Sequence, residues 1–162
     1  MKRSNLMIVA IAAASLAGCE LTDENTVSIP DLSATLANQT GQDGRACVDK
    51  GDIRGFGALN DRALFVDTMG DGYFVMTTLW SCYSLDTAFQ VGFDSRSYQI
   101  CGGRSDKILT SDEKCLVKQV FKFDDRKAAH QAVDKAELER EQLKKAAEQK
   151  QTNKPEHTNQ SA

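Results

Sequence analysis

The sequence predicts a mainly β fold, a small antiparallel barrel or sandwich of about six or seven short strands, followed by a charged α-helix. Short apolar runs recur between residues 45 and 123 and are separated by glycine, aspartate and asparagine turns. Four cysteines fall within this span, and an alanine-rich, heavily charged segment follows it. A domain this small has a marginal hydrophobic core, so we expect disulfides to stabilise it.

The first strands form a predicted hairpin. Residues 63–68 are a compact apolar run, and residues 73–79 are another. Gly70-Asp71-Gly72 lies between them and accepts the positive φ that a tight hairpin requires. Asn60-Asp61 marks an earlier turn, so residues 53–59 are expected to pair with the 63–68 strand.

Alternating apolar and polar residues predict the next strand, in which Phe89, Val91 and Phe93 would lie on the face that packs in the core. Gly102-Gly103-Arg104 is interpreted as a turn or bulge. Further strands are expected at residues 98–101, 107–110 and 115–123.

In the last predicted strand, 115–123, apolar and charged side chains are expected on opposite faces. Val117, Phe121 and Phe123 share the side of Cys115, while the lysines face the other way. Cys115 is therefore expected to point toward the core.

A helix is expected after the β unit, with Asp124 or Asp125 as its cap and Arg126 as its first residue. Its apolar stripe consists mainly of alanine and is narrow. The helix is therefore expected to project into solvent, with a weak coiled coil as the alternative.

The N-terminus has the pattern of an export signal. Two basic residues precede an apolar run, 6–17, that is too short to span a bilayer. Leu16-Ala17-Gly18-Cys19 looks like a bacterial lipobox, and this resemblance implies cleavage and acylation of Cys19. By resemblance to enterobacterial sorting, Glu20 in the next position favours the outer membrane over the inner one. A soluble secreted protein with an incidental cysteine is the alternative.

These patterns divide the chain into five segments: a lipoprotein signal peptide (1–18), a lipidated N-terminus and flexible tether (19–44), a disulfide-bonded β domain (45–123), a charged helix (124–150) and a disordered tail (151–162). Within the tether, residues 29–36 could form a short helix or strand that docks on the domain.

Charge limits the partners. Of the 20 basic and 23 acidic side chains, the signal removes Lys2 and Arg3, so the processed chain carries 18 − 23 = −5. This balance argues against a nucleic-acid partner. The expected partners are the lipid bilayer, through acylated Cys19, and another envelope protein or cell-wall component.

The four remaining cysteines are expected to form two disulfides, because an even number of cysteines in a small exported domain is typical of disulfide pairing. Zinc is the competing interpretation, but there is no close Cys-x-x-Cys pair and no histidine between Cys47 and Cys115. Strand adjacency favours the pairs Cys47–Cys115 and Cys82–Cys101. Two other pairings remain open.

Catalytic groups are scarce, because His130 and His157 both lie outside the β unit. A pair of carboxylates could serve acid–base hydrolysis of cell-wall polysaccharide, but most of them occupy turn positions. We therefore predict no enzymatic activity, no cofactor and no metal. The aspartates concerned are Asp49, Asp52, Asp61, Asp67, Asp71, Asp86, Asp94 and Asp106.

An aromatic pair, Trp80 and Tyr83, flanks Cys82 beside a predicted turn. Such a pair could contact a sugar or a partner peptide. Core packing against the disulfide is the alternative.

The order of these motifs resembles a family of small proteobacterial lipoproteins with a four-cysteine all-β domain of unknown function. The resemblance covers about residues 45–123, and the helix after Phe123 looks like an addition to it. It implies export and a fold, but no established activity. The motifs are Ala46-Cys47-Val48, Asp52-Ile53-Arg54, Trp80-Ser81-Cys82, Gln99-Ile100-Cys101-Gly102 and Cys115-Leu116-Val117.

The expected function is a membrane-anchored, periplasm-facing module of the bacterial envelope that binds or scaffolds another component, with its charged helix as a partner contact. A carboxylate-dependent cell-wall hydrolase and a small inhibitor or immunity-type protein are the alternatives.

Overall fold

The computed structural model describes residues 28–70 and 72–152, with side chains described as far as Lys150. Within them the fold is mainly β: a curled antiparallel half-barrel sheet of six strands, a second small sheet and two helices. The predicted fold class is confirmed. Residues 1–27, including Cys19, lie outside the described part, as do Asp71 and the predicted tail from residue 153 onward.

The elements follow one another along the chain as α1 (Leu32–Thr40), β1 (Cys47–Asp49), β2 (Ile53–Asn60), β3 (Ala63–Thr68), β4 (Tyr73–Thr78), β5 (Gly92–Asp94), β6 (Gln99–Cys101), β7 (Lys107–Leu109), β8 (Lys114–Phe123) and α2 (Arg126–Thr152). The large sheet has the order β2-β3-β4-β8-β7-β5, and β1 pairs with β6. The strands β2 and β5 are thus the two edges of the half-barrel.

The predicted hairpin is present. β3 pairs antiparallel with β4, and β2 pairs antiparallel with β3. Gly72, in the turn between β3 and β4, has φ 104°, and its carbonyl accepts a 2.7 Å hydrogen bond from the Thr68 hydroxyl. Positive φ at this point is the local reason for a glycine.

The sheet is buried on both faces, and every position of β4 is buried. One face packs against the β1–β6 ribbon and the connection from β4 to β5. The other face packs against both helices. β4 is therefore a central strand that contributes to two cores, which explains the run of large apolar residues from Phe74 to Met76.

The predicted parity of the last strand holds only for its first half. Cys115 and Val117 lie in the core that contains the β1–β6 ribbon, as expected. Phe121 and Phe123 lie in the helix core on the opposite face, so their predicted side is wrong. The pairing of β8 with β4 is irregular next to Thr78, and a bulge of one residue exchanges the faces of all later side chains.

The first helix occupies part of the predicted tether, so residues 32–40 are not a tether. Asp31 caps α1, since its side chain accepts a 2.9 Å hydrogen bond from the Ala34 N–H. Leu36 is fully buried between α1, α2 and the sheet. The weaker expectation of a docked helix in this region is confirmed.

The second helix does not simply project from the domain. Ala129, Val133 and Ala136 are buried against the sheet, and the guanidinium of Arg140 donates to the carbonyl oxygen of Pro30 at 3.1 Å. Alanine side chains are short, so the helix approaches the sheet closely. Residues 137–150 are exposed or half-buried throughout, which the prediction of a solvent-exposed helix required for all of α2.

Neither described helix contains an apolar stretch long enough to cross a membrane.

Candidate functional site

The structure pairs Cys47 with Cys101 and Cys82 with Cys115. Two disulfides are confirmed, but the predicted pairs Cys47–Cys115 and Cys82–Cys101 are wrong. Cys47 and Cys101 lie directly opposite each other in the β1–β6 ribbon. Cys82 follows β4, and the neighbour of β4 is β8, which carries Cys115. The prediction had assumed that the first strand lies beside the last.

These disulfides indicate an oxidising, non-cytoplasmic compartment. In reducing cytosol, both pairs would be held as thiols.

The Cys82–Cys115 disulfide anchors residues 79–91, which connect β4 to β5 and are called the 79–91 loop below. Cys82 and Leu85 are fully buried. The Cys82 N–H donates to the carbonyl of Asp61 at 2.7 Å, and the Leu79 N–H donates to the carbonyl of Leu116 at 2.9 Å. The loop is therefore fixed to the body of the domain at several points.

A carboxylate adds to this anchoring. Glu113 accepts hydrogen bonds from the Ser84 N–H and hydroxyl at 2.8 and 2.7 Å, and the Ser84 hydroxyl lies 2.6 Å from that of Thr110. An oxygen of Glu113 lies within 4.8 Å of the sulfurs of Cys82 and Cys115. Because these sulfurs are bonded to each other, they offer no thiolate to a metal ion, and the cluster serves to hold the loop.

The loop exposes large apolar side chains. Trp80 is 49% exposed and Tyr83 76%, so core packing of this aromatic pair against the disulfide is wrong. Their role as a partner contact stays a prediction. Phe89 is 97% exposed, although alternation had placed it in the core. The reason is that β5 begins only at Gly92, so Phe89 belongs to the loop.

A cleft lies beside this loop, between the two free edges of the half-barrel. Its volume is about 890 Å³, within the range of ligand and peptide pockets. Phe56 contributes from β2, Phe89 and Val91 from the loop, and Leu109 from β7. Phe56 and Val91 also pack against the core, so the cleft opens onto the apolar interior.

Two of the aspartates considered as acid–base groups have other partners. Asp106 is buried and accepts a 2.9 Å hydrogen bond from the Cys101 N–H. Asp94 lies 3.9 Å from the ammonium of Lys107. The predicted turn at Gly102-Gly103 is also present, and Gly103 has φ 73°.

Comparison with known proteins identifies a family. The model described as "Family of unknown function (DUF6491)" matches residues 1–141. No curated protein and no solved structure matches the chain. The match is longer than the expected span of 45–123 and includes α1 and the packed part of α2. The beginning of the helix is therefore not an addition to the family pattern.

Proposed function

Because the chain belongs to the DUF6491 family of unknown function, we propose a function from its structure: a lipid-anchored, non-enzymatic module of the bacterial envelope that binds another envelope protein. The exposed aromatic side chains of the 79–91 loop carry this proposal. The partner would be an extended segment of that protein.

The anchor would be an acylated Cys19 on the outer membrane, facing the periplasm. Only residues 20–31 separate Cys19 from the start of α1. Such a span reaches at most about 45 Å when fully extended. An anchored domain would therefore meet its partners close to the membrane surface.

Exposed aromatic side chains on a fixed loop are the supporting observation. Trp80 is 49% exposed, and Tyr83 and Phe89 are mostly exposed, yet the loop between them is held by a disulfide and by buried Leu85. Aromatic residues are enriched at binding hot spots because they bury much area. A loop that is already ordered loses little conformational entropy when it binds.

The free edge of β2 supplies a place for the partner backbone. In the described part of the chain the eight-residue strand β2 pairs with β3 alone, and its Phe56 lines the cleft. An extended segment can add to such an edge through main-chain hydrogen bonds. Its apolar side chains would then enter the cleft beside Phe56 and Phe89.

Site-specific photo-crosslinking in intact cells tests this proposal. A photoreactive amino acid replaces Tyr83 or Phe89 in one pair of strains, and it replaces the exposed Lys127 of α2 in the control. We expect a discrete crosslinked protein from positions 83 and 89 but not from 127. Trp80→Ala should reduce the yield at position 89.

Equal crosslinking from all three positions, or none from the loop, would overturn the proposed contact. A single crosslinked enzyme whose activity falls when it is bound would instead identify an inhibitor. Metabolic labelling with an alkyne fatty acid, compared between the native chain and Cys19→Ser, tests the anchor separately. Incorporation that survives in Cys19→Ser would contradict it.

A further inference from the structure

We propose that a second cavity, at the opposite end of β5 from the 79–91 loop, binds an anionic saccharide, a sugar that carries one phosphate or carboxylate group. The cavity has a volume of about 500 Å³, which suits a small ligand. Arg96 and Arg104 would bind the anionic group. This inference is independent of the proposed partner contact.

The fold explains why the two arginines line the same cavity. Asp94, the last residue of β5, is paired with Lys107, the first residue of β7. Between these positions the chain leaves the large sheet, forms β6 against β1, and returns. The outgoing and returning loops therefore lie side by side, with Arg96 on one and Arg104 on the other.

Both guanidinium groups are available to a ligand. Arg96 and Arg104 line the cavity and are exposed, and neither forms a hydrogen bond or ion pair with another residue in the described parts of the chain. Two cations that line one cavity and form no ion pair favour an oxyanion there. The guanidinium fork matches the oxygens of phosphate and carboxylate in a bidentate geometry.

The remaining lining favours a sugar over a simple anion. Asp94 and Asp106 also line the cavity, and carboxylates accept hydrogen bonds from sugar hydroxyls. Ser95, Ser97 and Ser105 add hydroxyl groups. Two acidic groups would repel a ligand that carries several anionic groups. A polyhydroxylated ligand with a single anionic group satisfies both kinds of lining residue.

The cavity is also held in shape. Cys101, between the two loops, is bonded to Cys47, and its N–H donates to Asp106. The Ser97 hydroxyl donates to the carbonyl of Gln99 at 2.9 Å, and that of Ser95 donates to the carbonyl of Ser97 at 2.7 Å. A preorganised loop binds a ligand at a lower entropic cost.

Calorimetric and NMR titrations of the oxidised protein at low ionic strength test the site, with glucose 1-phosphate, glucuronate, glucose and inorganic phosphate as probes. We expect at least one anionic sugar to bind saturably, with amide shifts centred on residues 94–107. Glucose and inorganic phosphate should each bind at least about tenfold more weakly. The stronger of the two anionic sugars identifies the anionic group.

Arg96→Gln and Arg104→Gln should each weaken binding by about tenfold or more, since each removes a charge-assisted contact. Arg126→Gln is the matched control, because this guanidinium lies over the ring of Tyr73 in the helix layer. An unchanged unfolding midpoint would show that the variants are folded. The proposal is overturned if neither anionic sugar binds, if phosphate alone binds as tightly, or if the Arg96 and Arg104 variants titrate like the control.

Discussion

Asp31 and Lys118 form an ion pair that joins the N-cap of α1 to β8, 87 positions away in the sequence. Burial raises the pKa of the Asp31 carboxyl group, but the hydrogen bond from Lys118 and the Ala34 N–H, with the charges of Lys118 and Arg140, outweigh it. The pKa of Asp31 is therefore lowered below its ordinary value. One aspartate thus couples the helix layer to the sheet.

Asp31→Asn should reduce the free energy of unfolding at pH 7 by up to about 1 kcal/mol, because the pair is partly exposed and asparagine still caps the helix. A lowered folded-state pKa stabilises the protein above the unfolded-state pKa of about 3.9. The difference from the native chain should therefore be constant above about pH 5 and shrink as the pH falls below 4. Urea unfolding between pH 7 and 2.5 measures it, and a difference that persists at pH 2.5 would contradict the ion pair.

Leu36→Ala tests the docking of α1. Leu36 is 0% exposed, so the variant should lose about 2–5 kcal/mol of unfolding free energy. Leu138→Ala is the control on α2, because Leu138 is 56% exposed and its truncation should cost less than about 0.5 kcal/mol. Chemical denaturation of both variants provides the comparison. Equal costs would mean that α1 is not packed as described.

Gly102→Ala tests a close backbone approach. A Cβ at position 102 would lie 1.8 Å from the carbonyl oxygen of Gly44 and 2.6 Å from the nitrogen of Val120. Backbone atoms cannot move aside as a flexible side chain does, so we expect a loss of about 3 kcal/mol or more. Gly55→Ala, on β2, meets nothing within 4 Å and should change stability by less than about 1 kcal/mol. Thermal unfolding separates the two, and similar midpoints would refute the contact.

Disulfide mapping tests the corrected connectivity. Lysine or arginine residues separate all four cysteines, so each lies on its own tryptic peptide. Mass spectrometry without reduction should find 46–50 linked to 97–104, and 63–96 linked to 115–118. A Cys82→Ser, Cys115→Ser double variant should lose about 4 kcal/mol by the loop-entropy relation. A disulfide between peptides 46–50 and 115–118 would contradict the structure and support the first prediction, Cys47–Cys115.

Two truncations separate the packed and projecting parts of α2. Removal of residues 143–162 should leave the unfolding midpoint within a few degrees of the native value, because residues 143–150 are exposed or only half-buried. Removal of residues 126–162 should abolish cooperative unfolding, since it uncovers Phe65, Val75 and Phe121. Calorimetry provides the midpoints. Cooperative unfolding of the shorter chain would show that the helix is dispensable.

Local chemistry explains which elements could be predicted. The β3–β4 hairpin was predicted because its apolar runs and the intervening glycines lie within a few residues of one another. The start of α2 was predicted because Asp125 supplies its cap, accepting from the Ala128 N–H at 2.7 Å. Trp80 and Tyr83 were identified as a candidate contact from the sequence. Their exposure could not be predicted, because burial depends on segments far away in the chain.

The sequence by itself determined the β class, the even set of four cysteines and the positions of most strands, because propensity, turn chemistry and alternation act over short distances. Only the tertiary structure decided the partner of each cysteine, the face occupied by Phe121 and the exposure of Phe89. Disulfide partners depend on which strands become neighbours, and one bulge in β8 exchanges the two faces of the sheet. Strand neighbours and side-chain faces are decided by packing between residues far apart in the chain. The burial of the α2 alanines against the sheet depends on such long-range packing too.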